Sequence, residues 1–131
     1  VTAMRGVQVD IILPEGPNLF FIDHASRPNW APLLEHGCSI WLTPAPFDHS
    51  KLMVVDGVWS LLGSANWDPR SLRLNFEFNV EAYSEDVASS ILELAEAKIR
   101  RCRRVTLEDY EQRGVLVRLR DGLFRLMTPY L

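Results

Sequence analysis

Uninterrupted apolar runs, cysteine, and positive charge in the first three quarters of the chain are all scarce in this sequence. The longest stretches free of Asp, Glu, Lys, Arg and His are residues 37–47 and 57–67, at 11 residues each. A helix that spans a bilayer needs about 20, so a transmembrane segment is excluded. Two cysteines, Cys38 and Cys102, are too few for a disulfide framework, and neither lies in a Cys-x-x-Cys. A reducing or redox-indifferent compartment is the expectation. No signal-peptide pattern opens the chain, which starts at Val1 rather than Met. It reads as a fragment or a processed chain, whose targeting signals would lie outside it. Residues 1–97 hold five Lys and Arg against thirteen Asp and Glu, whereas residues 98–131 hold nine against four. With a formal net charge of −3, nucleic acid is not an expected partner, because such binding rests on a basic surface.

What is present is enough for one folded domain. Of 131 residues, 47% are hydrophobic, including four Trp, three Tyr and six Phe, so burial can offset chain entropy and disorder is excluded. Residues 7–13 alternate, are rich in β-branched types and stop at Pro14, which reads as a strand. Residues 18–36 read as a broken helix, interrupted at Pro28 and Pro32 and closed by Gly37. Residues 39–42 form a short strand. Residues 50–55 and 58–62 are apolar runs flanking Asp56-Gly57, a pair suited to a type I′ hairpin turn. Residues 74–82 alternate strictly, with Leu74, Phe76, Phe78, Val80 and Ala82 on one face and Asn75, Glu77, Asn79 and Glu81 on the other. Ser84 then caps a helix whose first turn holds Glu85 and Asp86. Val87, Ile91, Leu94, Ala95 and Ile99 give that helix its apolar spacing, and it ends in Arg100, Arg101, Arg103 and Arg104. Residues 106–113 and 115–127 read as two further short helices. The fold class is mixed α/β, strand-rich in front and helical behind.

The chemistry concentrates between His49 and Asn66. On a strand, residues i and i+2 point the same way, so His49 and Lys51 share a face. Ser64 and Asn66 do likewise if the second strand continues. The Asp56-Gly57 turn brings the two strands side by side. Imidazole, ammonium, hydroxyl and carboxamide groups then form one patch suited to a tetrahedral phosphate. Lys51 would neutralise phosphoryl oxygens, Ser64 and Asn66 would donate hydrogen bonds to them, and His49 would serve as nucleophile or general acid–base. Asp56 has the opposite parity and is expected to fix the turn. Glu77, on the polar face of the later strand, is the candidate carboxylate for setting the tautomer of His49.

The spacing His49-x-Lys51-x4-Asp56-x6-Gly63-Ser64-x-Asn66 resembles the HKD motif of the phospholipase D superfamily. Six residue types at fixed spacing match by chance roughly once in 10⁷ starts or fewer, at about one in twenty per type. The run Asn66-Trp67-Asp68-Pro69-Arg70-Ser71-Leu72-Arg73-Leu74-Asn75-Phe76-Glu77 further resembles the stretch after the second HKD motif of bacterial cardiolipin synthases. The frame around it agrees: Arg5-Gly6-Val7-x-Val9 leads into a strand, Leu33-Leu34-Glu35-x-Gly37 precedes the next, and a basic tail follows. The resemblance covers nearly the whole chain. It implies a phospholipase D-like α-β-α layered half-domain with a mixed β-sheet and C-terminal helices. Residues 1–97 would form the catalytic core and residues 98–131 a basic helical tail.

The function implied is phosphatidyl transfer, from two phosphatidylglycerols to cardiolipin and glycerol. His49, Lys51, Ser64 and Asn66 would lie at the phosphate, Glu77 would support His49, Asp56 and Gly63 would be structural, and no metal or cofactor would be needed. In this family two HKD halves face each other. One histidine takes the phosphatidyl group as a phosphohistidine; the other protonates the leaving alcohol and activates the acceptor. His49, from what resembles the second half, would take the acid–base role. Only one motif is present, and the strand and helix expected before Arg5 are missing, so the chain matches most of a C-terminal half. The partners implied are an anionic phospholipid and a second HKD half, either the upstream half of a parent chain or a homodimer mate. The parent would sit at the bacterial inner membrane, in the cytoplasm or peripherally. Two alternatives stand beside this reading: a homodimeric phosphodiesterase, nuclease or phospholipase of the same superfamily, and a non-catalytic half acting in assembly or membrane docking.

The remaining candidates have plainer readings. His24 and His36 read as surface or capping residues. Trp30, Trp41, Trp59 and Trp67 read as core, with Trp67 near enough to Asn66 to rim the site. Arg70 and Arg73 either hold an anionic headgroup or form surface salt bridges. Residues 98–104 form either a solvated helix end or a patch drawn to anionic lipid. The apolar-basic tail, residues 115–131, either packs on the core or lies in a membrane interface.

Overall fold

The structure is a computed structural model and describes residues 1–15, 29–46, 48–66 and 74–112, with 114, 117 and 122. The chain divides into two compact units, Val1–Phe47 with Arg101–Leu131, and Asp48–Arg100.

The first unit is built on the alternation within β2 (Ser39–Thr43), where Ile40 and Leu42 are buried on one face. Strand β1 (Asp10–Pro14) runs parallel to it, with Ile11 opposite Ile40 and Leu13 opposite Leu42. On the other side, β6 (Arg103–Val105) runs antiparallel, with Val105 opposite Ile40. Pro14 is tolerated because β1 is an edge strand and ends there. Helix α1 (Trp30–Glu35) supplies Trp30, which joins Ile40, Leu42 and Val105 in the core, with Ile11, Leu13 and Leu34 packed around them. Pro32 does not interrupt this helix as the sequence suggested. It falls in the first turn, where backbone N–H groups have no helical partner to lose. His36 caps the far end, its Nδ1 donating to the Pro32 carbonyl at 2.5 Å.

Arg103 and Arg104 correct a sequence expectation, because they lie in strand β6 and not at a helix end. Three partners from distant parts of the chain, Trp41, Ser39 and Glu15, outweigh the helix dipole there. The Arg104 guanidinium stands over the Trp41 ring, 5.6 Å from its centroid, and donates to Ser39 Oγ at 3.2 Å. Arg103 pairs with Glu15 at 3.4 Å and with Asp109 at 3.6 Å. Trp41 is half-buried and donates from Nε1 to Asp10 at 2.7 Å. Helix α3 (Leu107–Glu111) then opens with a capping box between Thr106 and Asp109. The Thr106 backbone N–H, and next its hydroxyl, hold the Asp109 carboxyl below its usual range.

The second unit is a hairpin extended by one strand and backed by one helix. Strands β3 (Lys51–Val55), β4 (Trp59–Gly63) and β5 (Asn79–Tyr83) form an antiparallel sheet in that order. Asp56 and Gly57 both have positive φ, 52° and 66°, as the type I′ geometry requires. The Val58 N–H bonds the Val55 carbonyl at 3.2 Å, and the Val58 carbonyl accepts from the Ser84 N–H at 3.0 Å. Ser84 caps α2 (Glu85–Ile99), its Oγ accepting from the Val87 N–H at 3.4 Å. Helix α2 packs on all three strands. Its most buried residues are Ala88 and Ile91, with Ala95 and Ile99 half-buried, whereas Val87 and Leu94 are exposed.

Strand β5 is shorter than the alternation over residues 74–82 suggested. Strand β4 ends at Gly63, opposite Asn79, so residues 74–78 have no ladder partner among the described residues, and Leu74, Phe76 and Phe78 are exposed. The mixed α/β class holds: among the described residues there are two three-stranded sheets, the first of them mixed in strand direction. His24, Trp67, Arg70, Arg73, most of the broken helix over 18–36 and most of the tail helix over 115–127 lie outside the described residues.

Ile40 is wholly buried at the centre of the first sheet. Ile40→Ala is expected to lower the unfolding free energy by about 2–5 kcal/mol; chemical denaturation checks this.

Candidate active site

The topology of the second unit gathers the candidate residues at one end of its sheet. In this antiparallel arrangement β3 begins, β4 ends and β5 begins on the same side. Lys51, Gly63 and Asn79 form a single cross-strand row there. His49 precedes the row on the first arm, Ser64 and Asn66 follow it on the second, and Glu77 precedes it on the third. Asp56 lies at the opposite, turn end, five residues from Lys51 and beyond the roughly 13 Å that β3 spans.

Gly63 has a steric reason to be glycine. A Cβ at this position would run into the Asn79 side chain and lie 2.7 Å from the Phe78 carbonyl oxygen. The absence of a side chain lets the arriving third arm close on the second. Immediately beyond, the Ser64 N–H donates to the Phe78 carbonyl at 3.0 Å, and the Ala65 N–H donates to Asn79 Oδ1 at 3.4 Å.

The site is not the flat strand face that parity suggested. Lys51 pairs with Gly63, not Ser64, and residues 64–66 leave the strand. The groups come from strand ends and the segments beyond them. Ser64 Oγ donates to Glu77 Oε2 at 2.5 Å and accepts from the Phe78 N–H at 3.0 Å. A serine hydroxyl has one proton, so Ser64 donates to a phosphate only by releasing Glu77. The other oxygen of Glu77 accepts from Asn75 at 3.3 Å. Glu77 is half-buried, while His49 and Asn66 are exposed. Lys51 is half-buried, and its Nζ donates to the His49 carbonyl at 2.8 Å, tying its ammonium to the main chain that carries the imidazole. Among the described residues, no group of three or more His, Cys, Asp and Glu is arranged to hold a metal ion.

Sequence reasoning missed the groups that bracket His49. Asp48 Oδ1 accepts from the Ser50 N–H at 2.9 Å and from its hydroxyl at 2.6 Å. Its other oxygen, Oδ2, is ion-paired with Lys98 in the last turn of α2. The Lys98 ammonium, and next the two Ser50 donors, hold the Asp48 carboxyl far below the usual carboxylate range. Asp-x-Ser is a local signal for a side chain bonding its own backbone two residues on. Lys98 gives no such signal, since its partner is 50 residues away in sequence.

Gly63→Ala is expected to push apart the ends of β4 and β5 and to lower stability by about 1–3 kcal/mol, read as a shifted denaturation midpoint. Asp48 yields a second expectation. Its folded value lies below its ordinary 3.8, so its contribution to stability is complete above that value and is lost as pH falls from there. The stability difference between the wild type and Asp48→Asn should hold steady from about pH 6 to about pH 4 and shrink below it, in denaturation curves taken across that range.

Comparison with known proteins gives the chain a family. The family described as "Cardiolipin synthase, PLD-like domain" matches residues 1–99. Cardiolipin synthase 1 of Staphylococcus epidermidis is 36% identical over 131 residues, covering all of this chain and 27% of that protein. A cardiolipin synthase of Clostridium perfringens is 34% identical over the same length and is covered to 28%. The chain thus spans about a quarter of the length of these curated relatives. Among solved structures, Nuc of Salmonella typhimurium, a phospholipase D family member, superposes with a TM-score of 0.66 at 25% identity, over 78% of this chain and 66% of that one. The chain belongs to the cardiolipin synthase, phospholipase D-like domain family.

Proposed function

We propose that this chain supplies one HKD half of a phosphatidyl-transfer site, joining two phosphatidylglycerols into cardiolipin and releasing glycerol. One observation carries the reading: His49, Lys51, Ser64, Asn66 and Glu77 come to the same end of one sheet in a chain of this family. The other half supplies the nucleophilic histidine. Its ring nitrogen attacks phosphorus, the N–P bond forms, and the P–O bond to the leaving glycerol breaks. His49, protonated, gives its proton to that oxygen. Neutral His49 then takes the proton of the acceptor hydroxyl, whose oxygen attacks phosphorus as the N–P bond breaks. Lys51 and Asn66 hold the phosphoryl oxygens, where preorganised donors act most strongly on developing charge. Glu77 orients His49, and Ser64 holds Glu77 in place.

The run from Asn66 to Glu77 supports assigning the chain to the second of two halves. Residues 1–97 are the catalytic core of the proposal and residues 98–131 its basic tail. Contact of that tail with anionic lipid falls to fewer cations than its charge suggests. Lys98 is paired with Asp48, Arg103 with Glu15 and Asp109, and Arg104 lies on Trp41. Among the described tail cations, Arg100 and Arg101 are exposed and would lead such contact, with Arg70 and Arg73 as candidate headgroup ligands. Among the described residues, no helix is long and apolar enough to cross a membrane. A second reading is a phosphodiesterase made of two copies of the chain, each supplying its motif to the other. A discrete dimer that hydrolyses phosphodiesters without transferring phosphatidyl groups would establish it.

In the two-half enzyme, His49→Ala is expected to abolish phosphatidyl transfer between phosphatidylglycerols, measured as cardiolipin formed in vesicles. Normal turnover by that variant would refute the mechanism.

A further inference from the structure

The bracket around His49 has no counterpart in the HKD spacing, and its members come from opposite ends of the second unit's sequence. Helix α2 explains how they meet. It starts at the turn end of the sheet, where the Ser84 N–H bonds Val58. Its 15 residues cover about 22 Å, a little more than the roughly 17 Å of a five-residue strand. The helix therefore returns along the sheet and delivers its last turn, with Lys98, to the end where His49 lies. Lys98 Nζ meets both Asp48 and Ser50, the second contact at 3.4 Å. Asp48 already holds Ser50 through two bonds. The residues on either side of His49 are thereby joined to each other and to the helix.

We propose that Asp48, Ser50 and Lys98 form a clamp that fixes the main chain carrying His49, with Asp48 and Lys98 as positioning residues for the transfer reaction. This rests on the reading of His49 as the acid–base group. The clamp has two functions. It holds an exposed imidazole on a short segment outside the strand, where displacement by about 1 Å is enough to cost roughly a hundredfold in rate. It also neutralises a carboxylate one residue from the imidazole, so that the approaching phosphodiester does not meet an uncompensated negative charge. The strongly depressed titration of Asp48 agrees with a carboxylate held by these three donors.

The test uses the two-half enzyme with phosphatidylglycerol vesicles, comparing kcat, KM and the unfolding midpoint among variants, with His49→Ala as control. Asp48→Ala and Lys98→Met should each lower kcat by about 10- to 100-fold while KM moves by less than about threefold. Asp48→Asn keeps an acceptor for Ser50 and should recover most of the loss seen with Asp48→Ala. Adding Asp48→Asn to Lys98→Met should restore part of the rate, because it removes the bare carboxylate. Should Asp48→Ala fail to fold, Lys98→Met, which leaves the Ser50 bonds in place, carries the same test. Wild-type kcat in Lys98→Met, or in a folded Asp48→Ala, beside an inactive His49→Ala, overturns the clamp and leaves the function intact. Wild-type turnover in His49→Ala overturns both.

Discussion

Everything at the candidate site hangs on the close approach of the third strand to Gly63. With no Cβ in the way, the Phe78 carbonyl and the Asn79 side chain come against the end of β4. That contact sets where β4 stops. It places Ser64 under the Phe78 N–H and within reach of Glu77, and it leaves residues 74–78 outside the ladder. Without it, Glu77 would sit on an ordinary strand face, and the carboxylate would have no fixed relation to the motif.

Local physics made much of the second unit legible in advance. Asp56-Gly57 is readable as a hairpin because few pairs tolerate two consecutive left-handed residues, and Ser84 is readable as a cap because acids follow it directly. His49, Lys51, Ser64 and Asn66 stand as candidates on their spacing alone. What escaped was set by distant partners. Parity placed Ser64 on the same surface as Lys51, but parity assumes a continuing strand, and the end of β4 was decided by Phe78 and Asn79. Arg103 and Arg104 looked like the tail of a helix because Trp41 and Glu15, which claim them, lie far away in sequence. Pro32 looked like a breaker because the helix was expected to start well before it, whereas it starts at Trp30 and puts Pro32 in the first turn.

Charge is used differently from what the totals suggest. The acidic front and basic rear of the sequence invite a picture of two surfaces of opposite sign. In the fold, several of the rear cations are spent internally, on carboxylates and on an indole ring. Lys98 is the clearest case, since it joins the end of the helix to the segment carrying the motif histidine. Among the described residues, net charge by segment therefore overstates the field that Lys98, Arg103 and Arg104 present to any anionic surface.

The hairpin and the helix behind it are also coupled in length. The two arms of the hairpin can be lengthened together without disturbing a single cross-strand pair, and strand pairing alone would permit it. Two residues added to each arm would carry the motif histidine about 7 Å further from the turn. Helix α2 would then need four or five more residues, at about 1.5 Å each, to bring a cation back to Asp48. Each added helical residue also rotates that cation by about 100°, so only some lengths would present it on the correct side. The spacing between the motif's lysine and its glycine is thus tied to the pitch of a helix that lies outside the motif altogether.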